Sequence, residues 1–228
     1  MKTGAVVVAA GMSSRMKAFK PMLEIDSESA VRRIILTLRQ GGAEPIVLIT
    51  GNQAMLLEKH VSDMGVICLR NEEYATTQMF DSAKIGLSYL QDKCDNILFT
   101  PVDVPLFSAS TVRSLLQNKT GISVPVCGGM EGHPLLLDRQ AAKSLLVDYG
   151  TGGLAGAVER SGYVKQRVEV EDEGVLYDMD TPKDYETMKK LHIKLSLSAS
   201  SGSHRRYKIR VTADYPFSLG EALCGTSI

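Results

Sequence analysis

Short apolar runs rich in β-branched residues alternate along this chain with segments of helical periodicity. Residues 5–10 are apolar throughout, whereas the apolar positions between 31 and 38 follow the i, i+3, i+4, i+7 spacing of an amphipathic helix. The pattern predicts strands over residues 5–10, 45–50, 65–69, 96–100, 122–126, 133–137, 163–170 and 175–178, and helices over 31–41, 54–61, 79–90, 108–116, 139–147, 152–160 and 182–191. Such alternation predicts an α/β fold, with a mostly parallel sheet and helices on both of its faces.

The end of the chain has a different character. Residues 193–228 begin with a stretch rich in Ser and Gly, which predicts a linker. We therefore expect one large domain over residues 1–192, followed by a tail that is a remnant or the start of a second domain.

The overall composition is that of an ordinary folded protein. Of the 228 residues, 44% are apolar and 23% are charged, which argues against a disordered chain, a collagen or a coiled coil. The 26 Lys and Arg residues balance 26 Asp and Glu residues, so the formal net charge is zero. A neutral chain gives no support to binding of nucleic acid or a membrane surface, and a local site must hold any anionic ligand.

Cysteine usage and the N-terminal pattern indicate a cytoplasmic protein. The four cysteines show no CxxC spacing, which argues against a zinc site or a disulfide framework and favours reduced thiols. The apolar run over residues 5–10 is short for a signal peptide, and polar, basic sequence follows it, so a buried first strand is the better interpretation. No run approaches the ~20 apolar residues that a membrane helix requires.

The loop after the first predicted strand carries the strongest chemical signal. It begins with three small residues that let a ligand approach the backbone amides closely, Ala9, Ala10 and Gly11. It continues with two hydroxyls and two cations suited to phosphate oxygens, Ser13, Ser14, Arg15 and Lys20. The loop is neither a Walker A loop nor a GxGxxG fingerprint. Spacing alone leaves a solvent-exposed basic turn as the alternative.

Acidic residues follow two of the later predicted strands. Asp103 comes after the strand over residues 96–100, at the strand end where open α/β sheets bind ligands, and its carboxylate can hold Mg²⁺ against phosphate oxygens. Asp178 and Asp180 lie two positions apart at the end of another predicted strand, so both side chains face the same way if the strand continues. One of them can therefore complete a magnesium site with Asp103. The alternatives are a turn or cap at Asp103 and a helix N-terminus at Asp180.

Two further polar residues are candidate substrate contacts. Asn71 follows the third predicted strand, and His133 lies in a Gly-rich loop. Turn chemistry for the asparagine and a structural role for the histidine are the alternatives.

Taken together, these motifs resemble those of the molybdopterin nucleotidyltransferases of the NTP-transferase superfamily. The motifs AAG-x-S-x-R-M-x-x-x-K, N-x-x-Y-A, a strand ending in D-x-P, G-H-P and D-x-D-T-P occur in this order over about residues 4–192. The guanylyltransferase branch reads AGG where this chain reads AAG, so the cytidylyltransferase branch is the more similar one. The resemblance implies a Rossmann-like nucleotidyltransferase fold. It also implies transfer of CMP from CTP to the molybdenum cofactor, giving molybdopterin cytosine dinucleotide and pyrophosphate.

The resemblance also implies roles for individual residues. The nucleotide-binding positions are Ala9, Ala10, Gly11, Ser13, Ser14, Arg15, Lys20, Thr50 and Gly51. Arg15, Lys20 and Asp103 are expected to be catalytic, with Mg²⁺ held by Asp103 and Asp180. Asn71 and His133 correspond to residues that contact the pterin substrate. A xanthine dehydrogenase-type apoenzyme is the implied transient partner.

The chain departs from the family pattern at Lys17, where the family has glycine. Lysine costs more than glycine if that position needs a positive φ. Guanylyl transfer to the same cofactor and CTP-dependent transfer to a sugar or polyol phosphate remain open. So do a non-catalytic carrier of nucleotide or cofactor and a DNA-linked regulator acting through the tail.

Overall fold

The computed structural model describes residues 1–118 and 120–201, with side chains as far as Leu195. The strands are β1 (Thr3–Val8), β2 (Glu24–Ile25), β3 (Glu28–Ser29), β4 (Ile46–Thr50), β5 (Ile67–Arg70), β6 (Asn96–Pro101), β7 (Ile122–Cys127), β8 (Met130–Glu131), β9 (Leu135–Asp138) and β10 (Lys165–Glu169). The helices are α1 (Ala30–Gly41), α2 (Ala54–His60), α3 (Met79–Leu90), α4 (Ala109–Leu115), α5 (Arg139–Leu146), α6 (Gly153–Arg160) and α7 (Pro182–Ser201).

The central sheet is mostly parallel, which confirms the predicted fold class. Its strand order is β10-β7-β9-β6-β1-β4-β5, with β8 paired to β7, and β9 runs antiparallel to both of its neighbours. Val8 of β1 pairs with Ile49 of β4 and with Pro101 of β6, so the three central strands end at nearly the same level. Their carboxyl ends therefore form one edge, where open α/β sheets bind ligands.

Helices cover both faces of the sheet, as the pattern predicted. Apolar residues of α1 and α4 form one buried cluster, and those of α3, α5 and α6 form another on the opposite face. Because successive side chains of a strand point to opposite faces, β1 contributes Val7 to the first cluster and Val6 and Val8 to the second. The continuous apolar run is thus the signature of a strand buried on both sides.

Local pattern and tertiary packing agree closely in α1. Its predicted apolar stripe is wholly buried, and Gly42 ends the helix at φ 105°, with its amide donating to the carbonyl of Arg39. A Cβ on Gly41 would lie 2.2 Å from Cγ1 of Val112. Glycine therefore permits the close approach of α1 to α4.

The prediction of a strand over residues 175–178 is wrong. Glu173–Val175 forms a short 3₁₀ turn, and the residues that follow it are irregular. The buried carboxylate of Asp172 accepts hydrogen bonds from the amides of Ser108 and Gly174 and from the hydroxyl of Thr111. Asp172 thus caps the 3₁₀ turn through the Gly174 amide and ties it to the start of α4 through Ser108 and Thr111, so the chain turns instead of extending.

The helix α7 continues across the domain boundary expected at residue 192. Residues 193–201 are helical instead of forming a linker, and Leu195 packs against a third apolar cluster. That cluster joins α7 to the β2–β3 hairpin, an element that the pattern did not predict. The rest of the tail, residues 202–228, lies outside the described residues. Among the described helices, none is long and apolar enough to cross a membrane.

Candidate active site

The loop after β1 runs along the carboxyl edge of the sheet. Ala9 and Ala10 are buried, and the Ala10 carbonyl accepts the amide of Asn52, which ties the loop to the end of β4. Gly11 is exposed, and a Cβ built on it would meet nothing within 4 Å. The backbone at Gly11 is therefore open to a ligand, as the small residues of this loop predicted.

Two non-glycine residues of this loop adopt the left-handed conformation. Ser13 has φ 53° and Lys17 has φ 55°, and the Ser13 carbonyl accepts the amides of Met16 and Lys17 at 3.1 and 3.2 Å. Met16 is buried and anchors the turn. Lys17, which stands where the family has glycine, therefore has a positive φ. For a residue with a Cβ, this conformation is less favourable than the right-handed region by roughly 1–2 kcal/mol.

Lys20 lies at the centre of the site and joins the two ends of the domain. Its Nζ is 3.2 Å from Oδ2 of Asp103 and 2.7 Å from Oδ1 of Asp180. Arg15 contacts the other oxygen of Asp180 at 2.9 Å. The Lys20 side chain is 12% exposed and that of Arg15 is 73% exposed. The structure therefore brings together four of the predicted residues, with the two cations paired to the two carboxylates.

The carboxylates of this group have unequal electrostatic surroundings. The hydrogen bond from Lys20, reinforced by Arg15, holds the pKa of Asp180 below its usual value. Desolvation and the negative charges of Asp180, Asp103 and Asp184 raise the pKa of Asp178. Asp180 is thus the more stabilised anion of the Asp178–Asp180 pair. Its role as a metal residue stays a prediction.

The donor set suits a hard divalent cation that is shared with a ligand. Oxygens of Asp103 and Asp180 converge on one nitrogen, and a cation placed there would meet carboxylate oxygen from both. Within residues 1–118 and 120–201, no three His, Cys, Asp or Glu side chains could hold a metal by themselves. Mg²⁺ commonly binds one or two carboxylates plus substrate phosphates, so the residues fit that mode of binding.

A pocket of about 140 Å³ adjoins the Lys20 group. Ala9, Ala10, Gly11, Ser13, Lys20 and Asp103 line one side of it. The other side is formed by residues that the sequence reasoning missed, Tyr74, Thr77, Gln78, Met79 and Ser82. Their position in the sequence does indicate them, because they follow β5 at the same sheet edge and continue into the first turn of α3. Asp81 caps that turn by accepting the Gln78 amide at 2.9 Å.

A larger cavity of about 810 Å³ shares Gln78 and Met79 with this pocket. Its walls are mainly apolar and include Phe80, Phe99, Val124, Leu135, Leu154 and Tyr163. His133 lines it, with its ring centre 6.0 Å from that of Phe99 and the two rings at 64°, and its Nδ1 is buried with no partner among the described groups. Its role in substrate binding stays a prediction. Burial lowers the pKa of His133, against the opposing charge of Asp103, so the ring is neutral at pH 7.

The remaining predicted residues lie outside both cavities. Thr50 is buried and donates to Glu58, which also binds Arg70. Asn71 is buried, with its amide donating to Thr77 and Ser82 and its oxygen accepting the Glu73 amide. It therefore braces the segment that carries Tyr74, and its substrate role stays a prediction.

Gly51 and Ser14 likewise do not line the two cavities. A Cβ on Gly51 would lie 2.7 Å from Cβ of Tyr74 and 2.8 Å from the Ala10 carbonyl, so glycine allows the two segments to close on each other. Ser14 is exposed at the outer side of the loop. Gly51 thus shapes the site by its lack of a side chain.

Comparison with known proteins agrees with this geometry. The profile of the MobA-like NTP transferase domain matches residues 5–167. The molybdenum cofactor cytidylyltransferase of Escherichia coli K12 is 25% identical over 193 residues, covering 83% of this chain and 97% of that protein. The bifunctional protein GlmU of Pseudoalteromonas atlantica is 33% identical over 127 residues, but this chain matches only 27% of its length.

Solved structures share the fold at low sequence identity. A nucleotidyl transferase from Methanothermobacter thermautotroptrophicus has a TM-score of 0.75 at 21% identity, covering 85% of this chain and 99% of that one. Rv0371c of Mycobacterium tuberculosis H37Rv, in complex with manganese, has a TM-score of 0.70 at 21% identity and covers 83% of this chain and 99% of that one. The chain therefore belongs to the family of MobA-like NTP transferase domains and is a nucleotidyltransferase.

Proposed function

We propose that this protein transfers CMP from CTP to the phosphate of the molybdenum cofactor, giving molybdopterin cytosine dinucleotide and pyrophosphate. The observation that carries the proposal is the Lys20 group. Two cations and two carboxylates meet at the sheet edge. Lys20 and Asp103 line the small pocket beside the loop after β1, and this pocket shares Gln78 and Met79 with the large, mainly apolar cavity. The similarity to a cytidylyltransferase over nearly the whole of that protein supports the choice of reaction.

The chemistry needs no protein nucleophile, because the acceptor phosphate is already anionic. One of its oxygens forms a bond to the α-phosphorus of CTP, and the bond from that phosphorus to the bridging oxygen breaks. Pyrophosphate leaves with the electron pair. The protein has to align the two phosphates and neutralise their charge. Lys20 and Arg15 are the groups available for this, once phosphate oxygens compete with Asp103 and Asp180 for them.

Asp103 and Asp180 would hold Mg²⁺ together with the phosphates of the substrate. When bound, the cation supplies further charge neutralisation at the phosphate oxygens. The manganese complex of the structurally similar Rv0371c supports a divalent cation in this fold. Asp180 suits the role because both of its carboxylate oxygens already bind cationic groups, those of Lys20 and Arg15.

The two cavities suit the two substrates. The pocket of about 140 Å³ between Ala10 and Gln78 is also lined by Ser13 and Lys20, so it suits the phosphate end of a nucleotide. The choice of CTP rests on the similarity to a cytidylyltransferase. The cavity of about 810 Å³ is large enough for a fused ring system, and its aromatic walls suit a flat one. A neutral His133 at its wall can exchange hydrogen bonds with ring nitrogens. Handover of the product to a xanthine dehydrogenase-type apoenzyme is part of the proposal.

The experiment that tests the proposal is pyrophosphate release with Mg²⁺ and molybdenum-loaded molybdopterin, comparing CTP, GTP and ATP. Release with CTP alone is the expected result. Release with GTP would retain the mechanism and overturn the base preference. Release only when a sugar or polyol phosphate replaces molybdopterin would overturn the acceptor. Binding of CTP without release under any of these conditions would identify a carrier instead of an enzyme.

A further inference from the structure

We propose that Arg160 is a positioning residue for the acceptor, because it holds one wall of the large cavity in place. The segment concerned is residues 147–153, which we call the cavity loop. It runs from the end of α5 to the first residue of α6, and its last two residues, Gly152 and Gly153, line the cavity together with Leu154 and Ala155 of α6. The inference rests on the proposed function, in which this cavity receives the acceptor.

Arg160 binds the cavity loop through every nitrogen of its guanidinium group. Its Nε and Nη2 donate to the two carboxylate oxygens of Asp148 at 2.8 and 2.7 Å. Its Nη1 donates to the carbonyl of Thr151 at 2.8 Å. A bidentate pair of this kind fixes orientation as well as distance. The hydrogen bond from Arg160 lowers the pKa of Asp148, so the pair is fully charged at neutral pH.

The backbone closes around the guanidinium so tightly that two glycines are needed. A Cβ on Gly150 would lie 2.4 Å from the central guanidinium carbon, and a Cβ on Gly156 would lie 2.9 Å from Nη1. Gly150 belongs to the cavity loop and Gly156 to α6. Arg160 therefore folds back over its own helix into a space that exists only because both positions lack side chains.

A second cation ties the same loop to α3. Lys84 donates to the Asp148 carbonyl, and its ammonium lies 4.5 Å from the ring centre of Tyr149 and 4.9 Å from that of Phe80. Phe80 itself lines the cavity. The loop is thus anchored on one side to α6 and on the other to the opposite cavity wall.

Little apolar burial holds the cavity loop. Val147 is 72% exposed and Tyr149 is 90% exposed, so these side chains add little packing energy. The polar contacts of Arg160 and Lys84 are therefore the main constraints on the cavity loop. Loss of the Arg160 contacts would let Gly152 and Gly153 move. Arg160 does not line either cavity, so its effect on the reaction passes through the loop.

The test compares Arg160→Met with a matched control, Arg139→Met. Arg139 has the same exposure, 41%, and also pairs with an aspartate, Asp95, but it lies on α5 away from the cavity. We expect Arg160→Met to raise the KM for molybdenum-loaded molybdopterin about tenfold, with kcat and the KM for CTP within about twofold of wild type. The control should leave all three constants unchanged. An unchanged acceptor KM, or equal rises for both substrates, would overturn the proposal.

Hydrogen exchange gives a second readout that does not depend on turnover. The amides of residues 150–155 should exchange faster in Arg160→Met, while those of α5 should keep their wild-type rates. Unchanged exchange across the loop would overturn the positioning role even if the acceptor KM rises. If wild-type protein makes no product from CTP and molybdopterin, the proposed function fails, and the exchange rates alone decide whether Arg160 orders the loop.

Discussion

Replacement of Lys20 by methionine removes the cation that joins Asp103 to Asp180, while keeping a side chain of similar length. Asp103 and Asp180 then lie close to each other and to Asp178. Among the described residues, the cation still paired with them is Arg15, whose side chain is mostly exposed. Hydrogen bonds to charged groups contribute about 1.5–3 kcal/mol each, and Lys20 makes two of them in a largely buried position. We expect Lys20→Met to lower the free energy of unfolding by about 2–4 kcal/mol at pH 7.

The effect has a pH dependence whose sign follows from Asp180. Its pKa is lowered in the folded state, so it contributes stability above its unfolded pKa of about 3.9, and this contribution disappears as the pH falls through the folded value. The difference between wild type and Lys20→Met should therefore be largest at neutral pH and should shrink as the pH falls below the unfolded pKa.

A divalent cation should partly replace the lost ammonium group. Millimolar Mg²⁺ should raise the melting temperature of Lys20→Met more than that of wild type, whose carboxylates are already paired. Each kcal/mol corresponds to about 2–4 °C for a protein of this size. Nucleotidyl transfer should fall sharply even with Mg²⁺ present, because the variant lacks a cation for the phosphates.

The assay is urea and thermal unfolding followed by circular dichroism, with and without Mg²⁺ at matched ionic strength. Lys59→Met, at an exposed position of α2, is the control for loss of one lysine charge. A Lys20→Met protein as stable as the control at pH 7 would refute the energetic role of the ion pairs. A stability deficit that persists at low pH would show that lost packing, and not charge, is responsible.

Three further predictions concern the same sheet edge. Asp103→Asn should reduce kcat about 100-fold or more and should abolish Mg²⁺ binding measured by calorimetry in the presence of CTP. A variant that binds Mg²⁺ as tightly as wild type would contradict the metal role of Asp103. Lys17→Gly should be about 1 kcal/mol more stable to urea than Lys17→Ala because φ is positive there, and equal stabilities would contradict the strain. Asp178→Asn should raise stability by about 0.5 kcal/mol at pH 7 in low salt. A raised carboxyl pKa penalises the folded state only above the unfolded value, so the gain should vanish near pH 3, and a gain independent of pH would contradict this origin.

Several elements of the fold follow from nearby residues alone. The helix predicted over residues 79–90 coincides with α3, and the helix predicted over residues 108–116 is α4, which Ser108 caps by accepting the Thr111 amide. These features depend on side chains within one or two turns of each other, so the chain encodes them locally. The chemical pattern of the loop after β1 is similarly local, since its small and cationic residues lie within twelve consecutive positions.

Other features depend on contacts that no local pattern contains. The strand β9 reads as a short apolar run, and only its pairing with β6 and β7 makes it antiparallel in the middle of the sheet. The predicted strand over residues 175–178 failed because Asp172 bonds to Ser108 and Thr111, more than sixty positions earlier. Only the fold shows that Asn71 donates both amide hydrogens to Thr77 and Ser82 and accepts the Glu73 amide with its oxygen.

The sequence by itself determined the α/β class, the strand ends where chemistry could occur and the identity of the charged groups available there. Only the tertiary structure decided that Lys20 and Asp180, 160 positions apart, form one ion pair, and that Arg160 reaches back around two glycines to hold the cavity loop. The physical reason is that periodicity and caps act over a few residues, whereas charge pairing and close packing depend on which distant segments the folded sheet brings together.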